Sequence, residues 1–243
     1  MNWKLIVFIP LLFSSCMGVY KTYTFETPAE NVAYWNQGTA FQSQTIDSVT
    51  VELGYIKRME HSYVFSITVS NGSEQAVYFD PSILYAHLYK NDSLLIDLVG
   101  AINPENKLQE LDTRIKQEKA RITRNAVFSV LGSVAGLAAD VAIKDTEENT
   151  DKKEALRSAN ETLGAIHAHN ISDAEVKLMN LYDWVPYWQE SVIRKTTIFP
   201  EHYHRGDLHF NLNYAPLVKI TVPVGERLFK FTFLMKKMVP QVY

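Results

Sequence analysis

An α+β chain is what this sequence predicts: an immunoglobulin-like antiparallel β-sandwich with a helical segment inserted into it. Three observations predict it. Apolar residues alternate with polar ones over residues 48–102 and again over 191–243, the period of strands that bury one face. Between 103 and 190 the apolar spacing lengthens to three and four, the period of helices. The returning strands need partners, because a few strands alone make an unstable sheet, and completing the sandwich begun at residue 48 supplies them. The composition is that of a globular chain, 243 residues with 47% hydrophobic and 21% charged, which excludes collagen-like and disordered classes. A formal charge of −3 gives no electrostatic ground for a nucleic-acid partner, which would need clustered cations. The single cysteine, Cys16, excludes an internal disulfide and a cysteine-based zinc site.

The elements follow in chain order. Lys4 is a positive head to the nine apolar residues Leu5 to Phe13, a run too short for the roughly 20 residues of a membrane-spanning helix. Residues 1–15 therefore read as a secretory signal peptide and stay out of the fold. The stretch Leu12-Phe13-Ser14-Ser15-Cys16 resembles a bacterial lipobox, in which the cysteine is acylated and becomes the mature N-terminus. Phe13 stands where such motifs usually carry Leu, Val or Ile. Several acyl chains on one cysteine anchor a protein stably, whereas one chain binds only marginally. Met17 stands where an inner-membrane retention signal would place Asp, and by analogy this favours the outer membrane.

Residues 16–47 show no sustained period and read as a lipid-anchored tether with one or two irregular strands. Val49, Val51, Leu53 and Tyr55 then alternate with polar residues, as do Tyr63, Phe65, Ile67 and Val69, before the turn Asn71-Gly72-Ser73. Ala76 to Phe79, Ile83 to Tyr89 and Leu94 to Val99 complete the first part of the sandwich. Asn103 and Pro104 are the N-cap and first position of a helix carrying Leu108, Leu111, Ile115 and Ile122, with Glu110 and Arg114 spaced to pair. That helix runs into the apolar stretch 126–143. After a polar break, Leu156, Ala159, Leu163 and Ile166 mark a second helix, and Ser172 is the expected N-cap of a third, which Pro186 disturbs. Ser191 to Phe199, Asp207 to Leu212, Val218 to Val222 and Phe229 to Phe233 return to strand character.

Two segments, Ser62 to Pro81 and Ile193 to Phe210, carry a further resemblance. The first is a strand that leads through a polar turn to a Phe-Asp-Pro corner. In the second, Arg194, Thr196, Thr197, Pro200, Gly206 and Phe210 form a hairpin pattern. Together they resemble uncharacterised lipoproteins of Bacteroidetes built as an immunoglobulin-like sandwich with a helical insert. Glu201 departs from the pattern, which often has Gly after the proline. The resemblance implies a fold and an envelope address, not an activity.

Several residues are candidates for chemistry. His202 and His204 would share a strand face, and a turn at Gly206 could return His209 beside them to form a weak metal site. The alternative is three separate loop histidines, and no cofactor is expected. Ser129, Gly132, Ser133, Gly136 and Ala139 form a small-residue helix face that lets two backbones approach; the segment 126–143 would be buried, self-associating or membrane-inserted. Tyr182, Trp184, Tyr187 and Trp188 crowd the last helical junction, where Trp184 and Trp188 would either form a glycan platform or seal helix to sheet. Ser48 and Ser93, in Asp47-Ser48-Val49 and Asp92-Ser93-Leu94, match the Asp-Ser/Thr-apolar acceptor of Bacteroidetes O-glycosylation. No hydrolytic elbow, zinc-protease motif or phosphate loop is present in the sequence. The expected protein is a non-catalytic envelope lipoprotein. Its partners are the membrane, through the lipid anchor, and an unidentified protein or a second copy.

Overall fold

The structure, a computed structural model, describes residues 23–59, 61–91, 93–142 and 147–238, without the side chains of 128–153 and of several positions as far as His167. Before the helices the chain forms β1 (Tyr23–Glu26), β2 (Tyr34–Asn36), β3 (Thr39–Ile46), β4 (Val49–Met59), β5 (Ser62–Asn71), β6 (Val77–Phe79), β7 (Tyr85–Tyr89) and β8 (Leu95–Gly100). Then come α1 (Pro104–Ala142), α2 (Glu147–Pro186) and a π-helical turn (Tyr187–Ser191). The chain ends on β9 (Thr196–Ile198), β10 (His202–Phe210), β11 (Leu217–Val224) and β12 (Arg227–Lys237). One antiparallel sheet has the order β1-β12-β11-β7-β8, the second β10-β5-β4-β3-β2, and β6 and β9 form a small ribbon. The α+β sandwich with a helical insertion is thus the observed fold.

The period-two segments form strands because one face of each is removed from water. Phe229, Phe231 and Phe233 of β12 and Val218, Ile220 and Val222 of β11 join Val51, Leu53, Phe65 and Ile67 of the second sheet in one core. Phe65 sits at its centre, 5.1 Å from Phe233 and 6.1 Å from Phe210 between ring centroids, both edge-on.

Where one or two irregular strands were expected within 16–47, the described part of that stretch holds three, β1, β2 and β3. β1 pairs with the end of β12, and β3 runs alongside β4 from Phe41↔Gly54 to Ile46↔Val49. Alternation fails in β3 because its partner across the sandwich is backbone. β1 covers only the end of β12, and the uncovered edge of that strand is met by two side-chain amides. Gln42 donates to the Thr232 carbonyl at 2.8 Å and accepts from its N–H at 3.2 Å, and Gln44 does the same with Lys230. Gln42 is buried. Residues of this kind, spaced by two, complete a strand edge that would otherwise leave polar groups unpaired.

The insertion is a hairpin of two helices, each about 58–60 Å long at 1.5 Å per residue. Asn103 caps α1 as expected, its side-chain oxygen accepting from the Glu105 N–H at 2.9 Å. The buried and half-buried positions recur at three and four: Leu108, Leu111, Ile115 and Ile122 on α1, and Ala174, Leu178, Leu181 and Val185 on α2. The helices pack along these stripes, the spacing of a coiled-coil seam. No third helix starts at Ser172, which lies exposed inside α2. Its hydroxyl sits on the outer face, where nothing requires the backbone to break. Pro186 closes α2, and the chain leaves through the π-helical turn.

Both ends of the insertion dock on one strand. The Ile102 N–H donates to the His209 carbonyl at 2.8 Å, and the Ile193 N–H to the Asp207 carbonyl at 2.9 Å. Arg194 then grips Glu105, in the first turn of α1, through Nε and Nη2 at 2.6–2.8 Å. The helical excursion is therefore rooted at β10.

Candidate functional site

β10 runs unbroken from His202 to Phe210 in register with β5, so Gly206 is a strand interior and not a turn. Its glycine answers a close approach. A Cβ there would lie 2.7 Å from the Ile193 nitrogen and 2.9 Å from the Ser191 carbonyl oxygen, where the chain leaving the helices crosses the strand. With the strand straight, Leu208 and Phe210 point into the core and Asp207 and His209 point the other way.

Tyr187, in the π-helical turn, bridges these two. Its hydroxyl donates to Asp207 Oδ2 at 2.8 Å and lies 2.7 Å from His209 Nε2. A carboxylate takes the phenol proton, so the phenol oxygen accepts from Nε2–H, and Nδ1 lies 2.9 Å from the Ser62 hydroxyl. The Ser62 hydroxyl donates to the Met59 carbonyl at 3.1 Å. Trp188 covers the imidazole, 4.7 Å from it between centroids.

A serine, an imidazole and a carboxylate in a row suggest a hydrolytic relay, and the electrostatics argue against that use. Burial, with Lys57 and Lys107 adding to it, lowers the His209 pKa to about 4. A general base works best near the operating pH, and this imidazole is far weaker. The carboxylate also reaches it only through a phenol, whose own pKa is pushed up by burial and by the bond to Asp207. The row instead clamps β5, β10 and the π-helical turn together at the root of the insertion.

Beside the clamp a cleft of about 650 Å³ opens between the helices and the sandwich, within the size range of ligand pockets. Trp184, Trp188 and Leu111 form its apolar wall, and Lys107, Arg114 and Lys177 bring cations to it. Lys107 and Arg114 both pair with Glu110, at 3.0 and 2.8 Å. Glu118, also in the lining, turns Oε2 to the Arg121 guanidinium at 3.5 Å.

The histidine trio does not assemble. His202 and His204 share one face of β10, while His209, five residues from His204, lies on the other. Among the described residues no group of three or more histidine, cysteine or acidic side chains is placed to hold a metal ion. His202 turns to the Pro200 carbonyl at 2.8 Å, and burial holds the His204 pKa below its ordinary value. Trp188 is buried with Leu111 and Val192 where helix meets sheet, and Trp184, also on the wall of the cleft, is half-buried. Ser48 and Ser93 are both exposed. Ser48 sits in a two-residue hairpin turn with Asp47, both at positive φ (61° and 47°). Ser93 donates its N–H to Asn91 in an Asx turn at 3.3 Å. Ser129, Gly132, Ser133, Gly136 and Ala139 fall within α1, but their side chains lie outside the described residues, as does Cys16. Among the described residues no helix is long and apolar enough to cross a membrane.

Sequence reasoning missed Ser62, Tyr187 and Asp207 as a unit. The available signal was the odd parity of Asp207 and His209 against the apolar Leu208 and Phe210. Comparison with protein families, characterised proteins and solved structures found no match for this chain.

Proposed function

We propose that this chain is a lipid-anchored protein of the bacterial cell envelope, acylated at Cys16 and held at the outer membrane, that acts as a non-catalytic interaction module. The immunoglobulin-like ordering of the sandwich and the likeness to Bacteroidetes lipoproteins belong to the same proposal. The observation that carries it is the outer face of α2. Val176 and Met179 are 56% and 68% exposed, one helical turn apart, on a helix whose opposite stripe is already packed on α1. Such a pair on a projecting hairpin is suited to helix-in-groove or helix-to-helix recognition. The clamped, weakly basic His209 gives a structural reason for the only serine–histidine contact among the described residues.

A photo-crosslinking amino acid at Met179, compared with one at Glu226 on the far turn of the sandwich, tests this in cells. Adducts from position 179, to a second copy or to another envelope protein, and none from 226 are the expected result. They should disappear in V176D without loss of folding. No adduct at 179 would end the interaction reading, and absence of acyl mass on Cys16 would end the anchor.

A second reading, capture of a glycan in the cleft, is favoured by the half-buried Trp184 beside Lys177 and Arg114. It requires saturable, sugar-dependent quenching of tryptophan fluorescence that W184F abolishes.

A further inference from the structure

We infer that the end of the sandwich where β1 begins is a lipid-contacting face, which seats the domain end-on against an anionic bilayer surface. The inference rests on the acylation of Cys16 proposed above and adds the protein surface that meets the headgroups.

Chain length carries the first step. Six residues separate Cys16 from Tyr23, and an extended chain spans at most about 3.3–3.6 Å per residue. Tyr23 therefore lies within about 25 Å of an acylated sulfur whatever path those residues take. Tyr23 itself is fixed. β1 pairs with β12 from Tyr23↔Lys237 to Glu26↔Leu234. Phe25 is buried with its ring 5.0 Å from Tyr63 and 5.3 Å from Phe65 between centroids. The opposite end of β12, at the turn Gly225-Glu226, lies eleven residues away, about 35 Å along the strand. A tether of this length brings one end of the sandwich to the lipid, and the sequence decides which.

Chemistry carries the second step. Tyr23 stacks on Tyr214 with centroids 4.6 Å apart, and Tyr214 is 50% exposed. Met238, just past the end of β12, is equally exposed. On the second sheet, Arg58 lies 5.6 Å over the ring of Tyr63, which meets Phe25 edge-on. Arg58 and Lys237 are exposed, and Glu26 is held in an ion pair by Lys236. A chain of net charge −3 thus presents cations at the end nearest its anchor. Phenol rings with a polar tip, an exposed thioether and flanking cations are the groups that settle at the headgroup level of a membrane, and cations within a Debye length are drawn to anionic lipid.

The test uses the full-length protein matured in cells and reconstituted into vesicles of phosphatidylethanolamine and phosphatidylglycerol. Acylation consumes the sole native thiol, so a nitroxide on M238C or Y214C is the single label, with E226C as the far-end control. Power saturation should show both near-end labels more accessible to oxygen than to a water-soluble nickel chelate, by several-fold, and the E226C label the reverse. In the M238C background, K237E with R58E should lower that ratio several-fold. Aqueous values at both ends, with acyl chains present on Cys16 by mass spectrometry, would overturn the lipid-contacting face and leave the anchor standing. A mature chain without acyl mass would overturn the anchor and this inference with it.

Discussion

The imidazole of His209 lies between the Ser62 hydroxyl, the Tyr187 phenol and the Trp188 indole, and its burial among them favours its neutral form. In the unfolded chain its pKa returns to about 6.5, against about 4 in the fold. The folded state binds the proton less readily, so the contribution of His209 to stability is complete above pH 6.5 and is lost as the pH falls towards 4. Each pKa unit corresponds to about 1.4 kcal/mol, which makes the loss on the order of 3 kcal/mol across that window. Thermal melts at pH 7.5, 5.5 and 4.5 should show it. His209→Gln should melt lower at pH 7.5 and follow a flatter profile below it. A wild-type profile no steeper than that of the variant would contradict the assignment. The pairing of this histidine with Tyr187 was beyond the sequence, since the two meet only because the π-helical turn returns the chain to β10.

Among the elements, legibility followed what each one packs against. β4, β5, β11 and β12 were readable because apolar side chains alternate wherever a strand faces a core of side chains. β3 was not, because Gln42 and Gln44 face the backbone edge of β12 and satisfy it with amides. The two seam stripes of the hairpin were readable by their spacing, whereas the false start at Ser172 arose because an N-cap residue type is equally at home on an exposed helix face. Gly206 misled for a related reason. Glycine marks a turn in most contexts, but here it leaves room for the Ile193 backbone crossing β10. Its substitution by alanine should therefore be costly although the position is extended. The added carbon would meet backbone nitrogen and carbonyl oxygen at 2.7–2.9 Å, and neither can swing aside like a side chain. Overpacking of this kind costs about 1–3 kcal/mol. A denaturant midpoint for G206A within error of wild type would mean that the crossing chain moves freely, and the rooting of the insertion at β10 would be wrong.

At the scale of the molecule, two bodies of very different cohesion share one chain. The sandwich has an aromatic core spanning both sheets. The hairpin stands on a small footing in which Leu111, Trp188 and Val192 are the buried apolar residues, together with the Asp207–Tyr187–His209–Ser62 row and the Arg194–Glu105 grip. Proteins open in cooperative units whose free energies follow buried contacts, so the helices should open below the free energy of global unfolding. Arg194 and Glu105 are each about 40% exposed in their side chains, which limits the grip to about 1 kcal/mol. That is too little to shift the melting of the whole chain far, but enough to change how often the root opens. Native-state hydrogen exchange separates the two effects. In R194M the amides of the first turns of α1 and of the last turns of α2 should exchange about five-fold faster, the factor that 1 kcal/mol supplies. Those of β11 and β12 should keep their wild-type protection. An equal loss of protection in helices and strands would show a single cooperative unit. A hairpin that opens separately can rearrange while the sandwich stays folded.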